Sequence, residues 1–430
     1  MINPEPYLHT IRLRNDYGDE LFVIPDNFLG KCAPRLVHFE VQGCNVPWGS
    51  PILRNLTTLS VAQVSTVGSS TSLEEVAATL IEAAATLQVV EMSDFLPSHA
   101  NLVLPRAMKI KLPRLKRLYL SSGDTAVVTL LQHLSFPTST TIHLVIPQLH
   151  NSEASLVDYI SSIFSDVSTT PKHPRTIRAL LLNCLAGYDL VLSAWNVAIS
   201  CPGGQVYQGD PTPHFRCHLG SRRRSGSRVS ALPPSLFSQV LAGMGPLVNL
   251  ETLGIGLADF PLDIMAQSFG RCALLRTIAI QGVCAFNVIC SLSHSLPVAS
   301  DSQMPAEPSK AKTESARSGP GTEKRKRTRS GTALVCPALK TLAISDVELD
   351  GLVSSLIDCL RFRRKSGFRV RKVDLAECRR VRSEDIDRIE DKGKATVVWD
   401  GCGSDASDED DPYHGMNGPY VDEYNSDSYY

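Results

Sequence analysis

Apolar side chains recur along most of the chain in one short spacing, apolar-x-x-apolar-x-apolar, often just after a proline. Leu8, Ile11 and Leu13 carry it. So do Leu36/Phe39/Val41, Leu56/Leu59/Val61, Leu87/Val90/Met92 and Leu115/Leu118/Leu120. After a weaker form at Ser139/Ile142/Leu144 it returns at Ile177/Leu180/Leu182 and Leu250/Leu253/Ile255. It then recurs at Leu275/Ile278/Ile280, Leu339/Leu342/Ile344 and Val370/Val373/Leu375. The last three positions fit a short strand, with apolar residues on one face and the residues between them on the other.

Helical spacing fills the intervals. Ser72 and Glu75 form a capping box at the head of an Ala-rich segment reaching about residue 86. Asp124 is placed to cap a helix over 125–134. Asn151 is placed to cap one whose face holds Tyr159, Ile160, Ile163, Phe164 and Val167. Asp350 precedes a helix over 351–361, and Ser383 one over 384–391.

Most intervals between motif starts fall near the period of about 20–29 residues at which strand–helix repeats stack. A single unit cannot bury its own apolar face, whereas stacked units build a continuous core. The pattern therefore predicts an α/β leucine-rich-repeat-like solenoid, a horseshoe with a parallel concave sheet and two disordered inserts. Repeat units are expected at 1–200, 234–297 and 334–402.

Composition marks the interruptions. Residues 201–233 read as a Gly/Pro/Arg-rich insert carrying Arg216, Arg222, Arg223, Arg224 and Arg228. Residues 298–333 read as a disordered basic linker, because 301–332 hold no Leu, Ile, Val or aromatic residue. Its cluster Lys324, Arg325, Lys326, Arg327 and Arg329 resembles a nuclear-import signal. Residues 403–430 read as a disordered acidic tail. They hold eight of the chain's 44 acids and none of its 43 Lys and Arg, so a net charge of −1 hides a basic body. Two readings of the tail are open: a solubilising segment, or one that docks on the basic inserts. Ser407, followed by Asp408, Glu409 and Asp410, is a candidate site for an acid-directed kinase.

No apolar run approaches the length of a membrane helix, and the first twenty or so residues have no apolar signal core. The expectation is a cytoplasmic and/or nuclear protein whose twelve scattered cysteines are mostly buried thiols. Phosphate-loop, zinc-protease and hydrolase-elbow motifs are absent. Cys201, His214, Cys217 and His218 come nearest to a metal cluster, but adjacent Cys217 and His218 rarely both reach one tetrahedral ion. No catalytic residue, cofactor or metal is expected. Nucleic acid is an improbable partner, since no aromatic residues accompany the basic runs.

Strand positions between the core residues should line the concave face. Its charged and aromatic members are Arg12, Arg14, His38, Glu40, Arg117 and Tyr119, of types favoured at binding hot spots. These six are the expected contact residues for a protein partner. The matching positions after residue 250 are small, among them Gly254, Gly256, Ala279 and Ala343.

Residues 21–61 and 112–147, the segment 336–367 and the closing 397–401 resemble the mushroom-type fungal family of F-box and leucine-rich-repeat proteins. The resemblance implies a non-catalytic subunit whose repeats select substrates for a Skp-cullin-F-box ubiquitin ligase. In that family an N-terminal F-box docks on the ligase adaptor. No F-box is found ahead of the repeats here, so the adaptor is an expected partner only if one exists. Residues 232–241 imitate an F-box opening but have Ser235 where Glu usually stands, and read better as a repeat helix with Pro in its first turn. A nuclear scaffold without a ligase link is the alternative binding protein. An enzyme without a recognised motif is the alternative from another class.

Overall fold

In the computed structural model the described residues are 7–15, 22–25, 27–31, 33–62, 72–96, 103–105, 107–122, 124–146, 153–165, 176–185, 189–199, 211–220, 234–245, 247–256, 262–270, 272–293, 295–296 and 333–402. They form a mixed α/β structure around one long sheet of 14 strands. The strands are β1 (Thr10–Arg14), β2 (His38–Gln42), β3 (Thr58–Ala62), β4 (Val89–Ser93), β5 (Arg117–Ser121), β6 (Thr141–Ile146) and β7 (Ala179–Leu185). They continue as β8 (Asp189–Trp195), β9 (Phe215–Leu219), β10 (Thr252–Gly256), β11 (Thr277–Gln281), β12 (Thr341–Ser345), β13 (Lys372–Ala376) and β14 (Thr396–Trp399). Their order is β1-β2-β3-β4-β5-β6-β9-β8-β7-β10-β11-β12-β13-β14, so the sheet is open and no barrel closes.

The register explains why one spacing recurs. Ile11, Phe39, Leu59, Val90, Leu118 and Ile142 stand side by side on successive parallel strands. Leu180, Leu253, Ile278, Leu342, Val373 and Val397 do the same in the second half. All but the partly buried Val397 are buried in a single apolar core. A slip of one residue would turn each strand's apolar set to the solvent face, so each row fixes its neighbour.

Helices cover the core face. α1 (Leu73–Ala83) begins with the expected capping box: Glu75 N–H donates to Ser72 Oγ at 3.2 Å, and Ser72 N–H donates to Glu75 Oε2 at 3.0 Å. α2 (Asp124–His133) and α3 (Glu153–Ser165) follow, the latter burying Tyr159, Ile160 and Phe164. α4 (Pro234–Gly243) starts at a proline and buries Leu236, Phe237, Val240 and Leu241. The segment that imitates an F-box opening is therefore, where described, a core helix packed on α3. α5 (Leu262–Ile264), α6 (Ala285–Leu292), α7 (Val353–Lys365) and α8 (Ser383–Arg388) complete the set. Ser383 is the first residue of α8 rather than its cap; Arg382 takes that place without a side-chain bond.

Two expectations need correction. The sheet is not wholly parallel, because β8 runs antiparallel to both β7 and β9. The insert expected over 201–233 also contains a strand of the main sheet: Phe215, Cys217 and Leu219 of β9 are buried in the core, and β9 pairs with β6. Strands β9 and β8 thus fill the place between β6 and β7 and keep the sheet continuous. The second interruption is tied off at its base. Ser295–Leu296 pairs antiparallel with Ala333–Leu334, leaving residues 297–332 outside the described structure. The fully buried Arg363 of α7 grips the returning chain, donating from Nη1 to Val335 O at 2.8 Å and from Nη2 to Cys336 O at 2.6 Å.

No helix among the described residues is long and apolar enough to cross a membrane.

Candidate binding face

The sheet face opposite the helices is where side chains meet solvent in ordered rows. The central row runs Arg12, Glu40, Ser60, Glu91, Tyr119, His143 and Arg216 across β1 to β6 and β9. It continues through Ser193, Leu181, Gly254, Ala279, Ala343, Asp374 and Val398. Side chains in one row lie about 5 Å apart, close enough to interact directly.

The six expected contact residues fall into two groups rather than one. Arg12, Arg14, His38 and Glu40 sit on β1 and β2 at one edge. Arg12 Nε lies 2.9 Å from Glu40 Oε2, and His38 Nε2 lies 3.3 Å from the same oxygen. Arg117 and Tyr119 sit three strands away on β5. Arg117 Nη2 reaches Glu91 Oε1 at 2.6 Å, and Tyr119 packs edge-on against His143 with ring centroids 4.9 Å apart. Most cations of the face are thus neutralised by an acid on the same or the next strand, as Lys372 is by Asp374 at 2.6 Å.

The second group is larger than the sequence indicated. His143 stands between Tyr119 and Arg216 in the row. Burial, then the charges of Arg216 and His218, hold its pKa down to about 4, so it is neutral near pH 7. Arg216 is exposed and forms no ion pair among the described residues, while His218 pairs with Asp189 at 3.1 Å. A neutral ring pair beside an uncompensated guanidinium offers a planar contact next to a fixed donor fork for a carboxylate. Sequence reasoning passed over His143 because its motif copy lacks the leading Leu, and over Arg216 because its segment read as a loop. The signal was present in both cases: Ile142/Leu144 and Phe215/Cys217 flank them with strand alternation.

That alternation also separates the metal-like cluster. Cys217 points into the core, where burial pushes its thiol up to about 12, while His218 lies on the opposite face. Cys201, the import-like residues Lys324, Arg325, Lys326, Arg327 and Arg329, and Ser407 lie outside the described residues.

The middle of the face is covered. Ala179, Leu181 and Trp195 form a small apolar cluster apart from the main core, with Ile199 packed on it. Trp195 Nε1 donates to Pro211 O at 2.7 Å, and Thr252 Oγ1 donates to Ile199 O at 3.1 Å. Beyond this cover, Ala279, Ala343 and Ser345 are buried and present nothing long enough to grip a partner.

Comparisons of the chain with protein-family models, with curated proteins and with solved structures return no match.

Proposed function

We propose that this chain is a non-catalytic protein–protein interaction module, a leucine-rich-repeat-like solenoid that holds its partner on the concave face of β4, β5, β6 and β9. Its repeats would then play the part of substrate-recognition repeats in a Skp-cullin-F-box ligase. The observation that carries the reading is the contiguous set Glu91, Tyr119, His143 and Arg216, aligned in register on four neighbouring strands, with Arg117 paired to Glu91 beside it. It combines the Tyr and Arg anchors that dominate interface energies with polar groups already held in place by their neighbours.

The test is affinity capture with the full chain, followed by alanine substitution. Tyr119→Ala and Arg216→Ala should each weaken the captured partner by about 2 kcal/mol, roughly thirtyfold in Kd. Ala343→Ser, on the featureless half, should leave binding unchanged. Equal binding by all three variants in titration calorimetry would discard this face. Co-capture of the cullin adaptor in the same experiment would support the ligase link.

A further inference from the structure

A second surface lies along the edge where the strands begin. The residues at the starts of these strands form their own ladder: Arg276 N–H donates to Glu251 O at 2.9 Å, Lys340 to Arg276 O at 2.8 Å, Arg371 to Lys340 O at 2.8 Å and Thr396 to Arg371 O at 2.9 Å. Glu251 is engaged by Arg178 at 2.6 Å. That leaves Arg276, Lys340 and Arg371 as three consecutive cations on neighbouring strands, with no ion pair among the described residues. Like charges on adjacent strands are destabilising unless an anion lies across them.

The ladder borders a groove of about 550 Å³ lined by Lys340, Phe368, Arg369, Arg371 and Thr396. Phe368 is 39% exposed at its rim. Such a groove fits a flexible polyanion that carries an occasional ring.

We propose that the occupant is the chain's own acidic segment, residues 403–430, folded back into this groove. The described chain runs from Thr396 in the groove wall through β14 to Cys402, so the segment leaves within one short strand's length of the site. Crossing back along β14 takes roughly 15 Å, whereas 28 extended residues reach roughly 90 Å. The segment holds eight acids and no Lys or Arg. Asp408, Glu409, Asp410 and Asp411 supply consecutive carboxylates for the cation ladder, and Tyr413, two residues further on, supplies a ring for Phe368. Tethering supplies an effective concentration on the order of millimolar, enough for a weak ionic contact to persist. The inference is independent of the concave-face reading, because the two surfaces share no residue.

The experiment uses the full chain. A carbodiimide joins a carboxylate to a lysine amine it touches, so monomers treated at low salt should show tail carboxylates linked to Lys340. Those links should vanish in about 1 M salt, where screening acts within roughly 3 Å. Links confined to Lys324 and Lys326, or found only between two chains, overturn the proposal. A fluorescent polyglutamate supplies the second readout. Neutralising Asp405, Asp408, Glu409, Asp410 and Asp411 to Asn or Gln in the full chain should free the groove and tighten polyglutamate binding about tenfold. Adding Lys340→Glu and Arg371→Glu should abolish that gain. Polyglutamate affinity indifferent to tail neutralisation overturns the proposal.

Discussion

The two halves of the sheet share one backbone register but use the face opposite the helices in contrary ways. From β1 to β6 and β9 the positions between core residues include long polar side chains on every strand but β3, and neighbours neutralise several of them: Arg12 by Glu40, Arg117 by Glu91. From β10 to β12 the same positions are Gly, Ala, Ser and Thr apart from Gln281, and most are out of solvent; β13 adds one ion pair, Lys372 with Asp374. The second half places most of its charge at the strand edge, in Arg276, Lys340 and Arg371. A repeated core thus leaves the non-core positions free to diverge: one half keeps long polar side chains on its face, the other is given over mostly to packing. The Trp195 cluster lies at the boundary between them.

The largest expected effect tests the packing half. Arg363→Met keeps the volume but removes both donors to Val335 O and Cys336 O, leaving Val335 O unsatisfied and Cys336 O with only the Leu339 N–H at 3.2 Å. The loss should be about 3 kcal/mol, read as a lower urea midpoint. Cys336, whose thiol burial holds at about 12, should also become reactive to a thiol reagent. A loss under about 1 kcal/mol, with Cys336 still protected, would mean that the second half does not depend on this clamp.

The polar half carries its own cost. His143 is held neutral in the fold with a pKa near 4, against 6.5 when exposed. The unfolded chain therefore binds the proton first. Stability should fall as pH drops from about 6.5 towards 4 and be unaffected by this group above that window. With its partial exposure taken into account, the contribution is about 2 kcal/mol. It is read as the difference between the unmodified chain and His143→Gln in urea titrations at pH 7 and pH 4.5. Parallel pH dependence in the two proteins would remove His143 from the account.

Those two residues also mark the limit of what was legible in the sequence. The apolar rows could be read because strands buried on one face alternate, and Ser72 with Glu75 because a capping box is local chemistry. Strand β8 could not be read this way. Every residue from Leu190 to Trp195 is buried, so no period of two survives. The alternation of β9 is short and sits among Gly, Pro and Arg that dominated its window, which hid Arg216. Arg363 sits in a basic helix end, where only the fold shows that it turns inward. Partners brought together by the fold, as Tyr119 is with His143, lie on separate copies of the repeat, and neither copy names the other.

The smallest effect sharpens the comparison most directly, because it sets like against like. Arg12–Glu40 and Lys372–Asp374 are both ion pairs of the same sheet face, at 2.9 Å and 2.6 Å. In the first pair the side chains are 71% and 45% exposed; in the second the carboxylate is only 9% exposed. Water competes for both Arg12 and Glu40, so their coupling should be under about 0.5 kcal/mol and should shrink with salt. Asp374 has given up most of its hydration, and its bond to the Lys372 ammonium should couple by about 1 kcal/mol with little salt dependence. Double-mutant cycles with Arg12→Ala/Glu40→Gln and Lys372→Ala/Asp374→Asn measure the two terms. His38, 3.3 Å from Glu40, is unchanged in the first cycle and drops out of its difference. Equal couplings would mean that the polar and small halves provide the same environment and that the contrast between them is only one of side-chain size.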